Sequence, residues 1–359
     1  MISSSVEITN PKIKNIINSL SNVLDYKITS IKDISGGRNS RVYDVCYGTS
    51  SKCIVKVYPQ NTDTKQSRLS NEYSALKFMR KAGIKCIPEP VAKNSELNYL
   101  AYQYIEGVGI DSSTVSIDEI NQCVQFLLDL KDLSRNSMTN RDSLPIAAEA
   151  CFSIQSIVDS ISLRLLKLQN LTPVNSLHIE LHTWLNNSFT NTFKKVLDWC
   201  LLEFDKLNLN NNSNLDPKYQ TLSPSDFGFH NALRTNQGKL IFLDFEYFGW
   251  DDPSKMISDF LLHPAMSLTK ASKDEFWKNM ISGFQSHPNL ESLTKIVYPL
   301  WGLKWCSIIL NEFHPEIMEI RKFAMGELVD TDFVQTQQLD KAKRLLKKID
   351  VNFREFPYE

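Results

Sequence analysis

At 359 residues the chain is long enough for two compact lobes, each burying its own core, which excludes a small stapled scaffold. Its 40 Lys and Arg stand against 41 Asp and Glu, a formal net charge of -1, so there is no basic field for nucleic acid or an anionic membrane. Seven cysteines with no CxxC pair and no His cluster at ligand spacing argue against a disulfide framework or a zinc site, and point to free thiols in a reducing cytosol.

In chain order, residues 1–10 lack the basic start and apolar run of a signal peptide, and no run of about 18 uncharged apolar residues occurs anywhere. A soluble cytoplasmic protein without membrane insertion is expected. Ile13, Ile16, Ile17, Leu20 and Leu24 fall on one stripe and predict a starting helix over 11–24. Residues 27–34, 41–47 and 52–58 alternate or are β-branched between glycine-bearing turns, which predicts a three-strand antiparallel meander. A helix over 64–81 follows, with Leu69, Tyr73, Leu76 and Met79 inward and Gly83 just past its end. Short strands are expected at 91–92 and 99–104, and residues 103–107 read as a crossing between lobes. The expected division is a small sheet-bearing N-lobe over 1–104 and a larger, mainly helical C-lobe over 105–359. Amphipathic runs in the latter predict helices near 117–133, 146–168, 177–206, 273–285, 290–312 and 336–348, interrupted by a β-rich island at 221–248. Residues 208–214 are an asparagine-rich surface loop, and no internal repeat occurs.

Lys56 lies in a strand apolar on both faces, on the same side as Ile54 and Tyr58. Alone it could be a lysine snorkelling from a strand edge. Glu72, three residues after Leu69 and four before Leu76, sits at or beside the buried stripe of the next helix, where a carboxylate is costly unless a cation meets it. The natural pair is Lys56 with Glu72, leaving the lysine to reach the phosphates of a nucleotide; a solvated Glu72 on the helix flank is the bland alternative. Gly36, Gly37 and Ser40, in the turn between the first two strands, either cover phosphates with backbone N–H groups or form a plain hairpin. No GxxxxGK[ST] occurs, so a P-loop enzyme is unsupported.

The densest cluster runs from Ser225 to Asp244. Asp226 is followed five positions later by Asn231 and, across a hairpin turn at Asn236-Gln237-Gly238, by Asp244 at the end of an apolar row with Leu240 and Phe242. Asp226 is expected to orient a substrate hydroxyl, with Asn231 and Asp244 as oxygen ligands for Mg²⁺. Asp226-Phe227-Gly228 spells a protein-kinase metal motif, but that reading leaves no upstream Asp/Asn pair and no role for Asp244. Asp244-Phe245-Glu246 is therefore taken as the metal-binding segment.

With Lys56, Glu72, Asp226, Asn231 and Asp244 in this order, the chain resembles the aminoglycoside phosphotransferase and choline kinase superfamily. Leu243-Asp244-Phe245-Glu246-Tyr247 is especially similar to a choline and ethanolamine kinase motif. The resemblance implies a protein-kinase-like bilobal α+β fold that binds ATP and Mg²⁺, with Gln103, Tyr104 and Ile105 meeting the base largely through backbone atoms. It also implies transfer of the γ-phosphoryl group to a hydroxyl of an amino-alcohol, aminosugar or sugar derivative. A nucleotide-binding regulatory module without turnover is the alternative, because Pro224-Ser225 and Gly228-Phe229-His230 depart from the family's usual loop. The expected acceptor residues are Glu246, Trp250, Asp259, Trp301, Lys304 and Trp305. Trp301 and Trp305 at i and i+4 equally suit a core, Asp259 could simply fix the metal loop, and His263 before Pro264 suits a turn cap. Lys255 and Lys304 suit an anionic acceptor group. No nucleic-acid partner is expected, and the sequence does not fix an oligomeric state.

Overall fold

The computed structural model describes residues 11–34, 39–59, 67–136, 141–325 and 329–358. In chain order the elements begin with α1 (Pro11–Leu24), β1 (Ile28–Asp33), β2 (Arg41–Tyr47), β3 (Ser51–Val57), α2 (Arg68–Lys81), β4 (Pro90–Asn94), β5 (Tyr99–Gln103) and β6 (Val108–Gly109). They continue with α3 (Ile117–Arg135), α4 (Ile154–Gln169), α5 (Ser176–Trp184), α6 (Thr190–Lys206), β7 (Thr221–Ser223), β8 (Ala232–Arg234), β9 (Leu240–Phe242) and β10 (Gly249–Asp251). The last helices are α7 (Pro253–Leu262), α8 (Lys270–Gly283), α9 (Leu290–Ile309), α10 (Pro315–Met325) and α11 (Thr331–Asn352). The chain forms two compact units, one made of Met1–Val108, Ala232–Tyr247 and Met318–Val329, the other of Gly109–Asn231, Phe248–Ile317 and Asp330–Glu359.

The first unit is built on a five-stranded antiparallel sheet in the order β1-β2-β3-β5-β4. The predicted meander forms its first three strands. The stripe predicted for α1 is what buries: Ile13, Ile16 and Leu20 pack with Tyr43, Val45, Val55 and Tyr99 of the sheet. Ser67 caps α2, its side chain accepting from the Ser70 N–H, and Arg80 and Lys81 close the last turn against the helix dipole. The expected start of that helix at 64 lies outside the described residues. The β8–β9 hairpin joins this unit through the Phe242 N–H, which donates to the Cys86 carbonyl at 2.8 Å, and through Asn71, which donates to the Glu246 carbonyl at 2.9 Å.

The second unit is mainly helical, with α4, α6, α7 and α11 all packed on α9. Two predicted helices are cut differently from their amphipathic patterns. The run from 146 becomes helical only at Ile154, because Pro145 and Ala147 exchange backbone hydrogen bonds with Trp250 beside β10. Gly249 permits this approach, since a Cβ there would stand 2.4 Å from the Pro145 carbonyl oxygen. The run 177–206 is interrupted by a five-residue π-helical turn at Leu185–Phe189. Helix α7 is absent from the predicted helices: Met256, Ile257, Phe260 and Leu261 do fall on one apolar stripe, but the element is only ten residues long, and its polar residues are buried as well. Among the described residues no helix is long and apolar enough to cross a membrane.

Candidate active site

In the first unit four charged side chains converge. Lys56, which pairs opposite Val42 and Leu100 in the middle of the sheet, is buried, and its Nζ donates at 2.7 Å to Glu72 Oε2 and at 2.7 Å to Asp244 Oδ1. Glu246 Oε2 lies 3.2 Å away. Two ammonium N–H donors thus meet carboxylates, while Glu246 Oε2 is held close by charge without a hydrogen bond. Burial opposes the charge on Lys56, but Asp244, Glu246 and Glu72 more than reverse this and hold its pKa well above the ordinary lysine value. Glu72 is steadied by the Tyr58 hydroxyl, which donates to Oε2 at 2.5 Å. Glu246 also meets Arg68 at 3.3 Å and accepts from Asn39 at 3.2 Å.

Asp244 is not the end of a strand, as the alternation suggested. Strand β9 stops at Phe242, and Asp244 itself has φ of 65°, the left-handed region that aspartate tolerates better than most residues. The turn keeps one edge of the carboxylate open, with 34% of the side chain exposed. Burial and the neighbouring Glu246 and Glu72 push its pKa up to about 7 despite Lys56. The oxygens of Glu72, Asp244 and Glu246 lie within 4.8 Å of one another, but the Lys56 ammonium already sits among them, so of the three only the open edge of Asp244 is placed to meet a hard cation such as Mg²⁺.

The expected phosphate turn is only partly within view. Gly36 and Gly37 lie outside the described residues. Ser40 is described and buried, and its hydroxyl has no hydrogen-bond partner among the described residues. A phosphate oxygen is the kind of group that would satisfy it. Gln103 closes β5 with an exposed side chain, while Tyr104 and Ile105 continue, half-buried, without regular structure.

In the second unit Asp226 is flanked by two histidines. His263 Nε2 lies 2.8 Å and His230 Nε2 3.2 Å from Asp226 Oδ1, and the two rings stack with centroids 4.0 Å apart. Burial would raise the Asp226 pKa, but the bonds from His230 and His263 hold it well below the ordinary carboxylate range. The turn-cap expectation for His263 also fits, since its Nδ1 accepts from the Ala265 N–H at 3.2 Å. That bond fixes the tautomer: the proton of neutral His263 sits on Nε2 and points at Asp226. The three side chains have metal-ligand proximity, yet His263 cannot donate this proton and offer a lone pair from the same atom. The arrangement is an aspartate held ionised and oriented by imidazoles. Asn231 Nδ2 donates to the Asp226 carbonyl at 3.0 Å, bracing the same loop. Ser225, just before it, has φ of 71° and bonds the Ala148 carbonyl at 2.8 Å.

The residues expected to face an acceptor are placed differently from one another. Glu246 belongs to the Lys56 cluster of the first unit. In the second unit Trp301 is 1% exposed and packs in the core, and Trp250 is buried with Arg141 over its ring. Lys304 is closed by Glu149, whose carboxylate is 3.0 Å away and whose carbonyl it reaches at 2.8 Å; Lys255 lies 2.8 Å from both Asp251 and Asp259. Those two lysines are therefore consumed by internal pairs, because a buried ammonium needs carboxylates. Trp305 remains beside the Asp226 loop, its Nε1 donating to Asp259 at 2.9 Å and its ring edge-on to His263. Tyr58, Arg68 and His230 were not singled out in the sequence. Tyr58 shares a strand face with Lys56, which was the available signal; the histidine pairing is a product of the tertiary fold.

Solved structures share this architecture. Spectinomycin phosphotransferase APH(9)-Ia, in complex with ADP and spectinomycin, superposes with a TM-score of 0.60 at 11% identity, over 92% of this chain and 98% of that one. Choline kinase LicA from Streptococcus pneumoniae gives 0.57 at 15% identity, over 94% and 99%. An ethanolamine kinase from Plasmodium vivax gives 0.55 at 13%, over 95% and 90%. No curated protein matches in sequence. These likenesses establish the fold, the kinase-like bilobal α+β fold. A sequence profile described as "Phosphotransferase enzyme family" (APH) matches residues 30–263, and the chain belongs to that family. It is a small-molecule phosphotransferase.

Proposed function

We propose that the protein is an ATP- and Mg²⁺-dependent kinase that transfers the γ-phosphoryl group to a hydroxyl of a small molecule, an amino-alcohol, aminosugar or sugar derivative. The observation that carries this reading is the buried Lys56 held at 2.7 Å by both Glu72 and Asp244. Glu72 and Tyr58 fix the lysine, and Asp244, the most exposed of its three carboxylate partners, is the one that a phosphate oxygen would replace. Asp244 would hold Mg²⁺ with its open edge, and Asn231 would contribute a second oxygen ligand. Bound there, the ion would neutralise phosphate charge and align the transferred group. The Ser40 hydroxyl would hydrogen-bond a phosphate oxygen, and residues 103–105 would receive the base through backbone atoms. Asp226, its Oδ1 occupied by two imidazoles, would offer its other oxygen to the acceptor hydroxyl. Catalysis on this reading is positioning and charge neutralisation.

Phosphorus NMR of an acceptor panel with Mg·ATP tests it. Turnover is expected with at least one hydroxylated acceptor, and Asp226→Asn should abolish it while sparing nucleotide affinity. Equal turnover in Asp226→Asn would remove that residue from the mechanism. Nucleotide binding without ATP consumption across the whole panel would leave a regulatory nucleotide-binding module.

A further inference from the structure

A second chemistry is built into the mainly helical unit. Beside the C-terminal end of α7 opens a cavity of about 570 Å³, within the usual size range of metabolite sites. Its floor is apolar, with Leu261, Leu262 and Tyr298 among its residues, while Lys270, Lys273, Lys341, Arg344 and Lys348 line it from α8 and α11. No Asp or Glu is among the described residues that line it, though Lys270 pairs with Asp274 at 3.1 Å just outside and Lys273 donates to the Tyr358 carbonyl at 3.0 Å. The chain as a whole is balanced in charge, so five cations around one concavity are a local concentration that surface composition does not explain. Lys341, Arg344, Leu345 and Lys348 recur at spacings of three and four, so α11 presents this row on one face. Arg344 makes no hydrogen bond or ion pair among the described residues. Guanidinium and ammonium groups over an apolar floor suit an organic anion, whose phosphate or carboxylates meet the cations while its carbon skeleton covers the floor.

We propose that this cavity binds a small organic anion, a metabolite carrying a phosphate group or a pair of carboxylates. The cavity is coupled to Asp226 through one residue: His263 lines it, and the same imidazole donates to Asp226 Oδ1 at 2.8 Å. The anion has two possible sources of one chemistry, the charged end of the acceptor itself or a separate effector that tunes the aspartate loop. Lys255 and Lys304 are closed by carboxylates, whereas Arg344 of this cavity is not. Binding requires no turnover, and the proposal therefore stands or falls apart from the kinase reading.

The test is calorimetric titration of the full chain, without nucleotide, with glycerol 3-phosphate, succinate and uncharged glycerol. Saturable binding of at least one of the anions, weakened tenfold or more in Arg344→Glu/Lys348→Glu and absent for glycerol, is the expected result. An unchanged melting temperature of the double variant establishes that it folds; should it not, the milder Arg344→Gln serves, with a smaller loss expected. No binding, or binding that the substitutions leave untouched, overturns the proposal. Two further arms separate the sources. If the anion belongs to the acceptor, the double variant raises KM for glycerol 3-phosphate or another charged acceptor and not for an uncharged one. If it is an effector, succinate, which has no hydroxyl, changes turnover of an uncharged acceptor, and the double variant abolishes that change.

Discussion

Lys56 can stay charged in the middle of a sheet only because three carboxylates surround it, and each carboxylate in turn depends on the lysine. Removing the cation leaves Glu72 and Glu246 buried with too little positive charge. Lys56→Met should therefore destabilise the protein by roughly 3–5 kcal/mol, the cost of breaking a buried pair from one side. Urea unfolding measures this, and an unchanged midpoint would mean that Arg68 and Tyr58 already satisfy the carboxylates. The same logic with the opposite emphasis applies to Asp251, which is fully buried beside Lys255. Burial, opposed by Lys255 and aided by Asp259, pushes its pKa up to about 6, against roughly 3.9 in an unfolded chain. A raised carboxylate favours the folded state most below the unfolded value and loses that advantage as pH climbs to the folded one. Relative to Asp251→Asn, which has no such proton, the parent protein should lose about 3 kcal/mol of stability between roughly pH 4 and pH 6. A pH-independent difference between the two would remove Asp251 from the titration.

Helix α7 shows what the sequence displayed and what it hid. Its flanks were legible in chemical terms: Asp252 caps it, accepting from the Ser254 N–H, and Pro253 opens its first turn. Its existence was not, because an apolar row of four residues, Met256, Ile257, Phe260 and Leu261, is too brief to stand out, and Lys255 and Asp259, which pair at 2.8 Å, drew the reading toward the site instead. Helix α1 was legible because one of its faces is wet, and the β8–β9 hairpin because its exposed turn residues mark it. The pairing of Lys56 with Glu72 was readable because a carboxylate beside a helix's buried stripe needs a cation. The imidazoles on Asp226 were not, since no spacing rule links position 226 to 263. His263 ends α7 as its C-cap, with its imidazole fixed by Ala265. Loss of one hydrogen bond to a charged group costs about 1.5–3 kcal/mol. His263→Ala should accordingly lower kcat by about tenfold to hundredfold with a smaller change in KM. His263→Gln, which keeps an N–H donor, should recover part of it. Equal rates for all three proteins would reduce His263 to a turn cap.

The first unit is not a continuous stretch of chain. Its sheet is written in residues up to 103, but two of the three partners of Lys56 arrive with Ala232–Tyr247, and Arg41 bonds the Phe323 carbonyl at 2.6 Å from Met318–Val329. An N-terminal boundary near 104 is what a linear reading offers, since composition changes there; the return segments carry no mark of their destination. The physical consequence is that a fragment ending at Val108 should not fold by itself. It retains the five strands, yet it leaves the Cys86 carbonyl without Phe242 and keeps only Glu72 for Lys56. Supplying the missing piece should reverse the defect cheaply, because Gly107 lies against the backbone of Arg234, where a Cβ would stand 2.9 Å from its carbonyl oxygen. The ends to be joined are thus adjacent, and a short Gly/Ser linker from Val108 to Ala232 closes a small loop at little entropic cost. The expected outcome is no cooperative urea transition by circular dichroism for residues 1–108 and a recovered one for 1–108 joined to 232–247. A cooperative transition in the shorter fragment would mean that the sheet and its two helices suffice, and that the Lys56 cluster is a site laid on a finished fold.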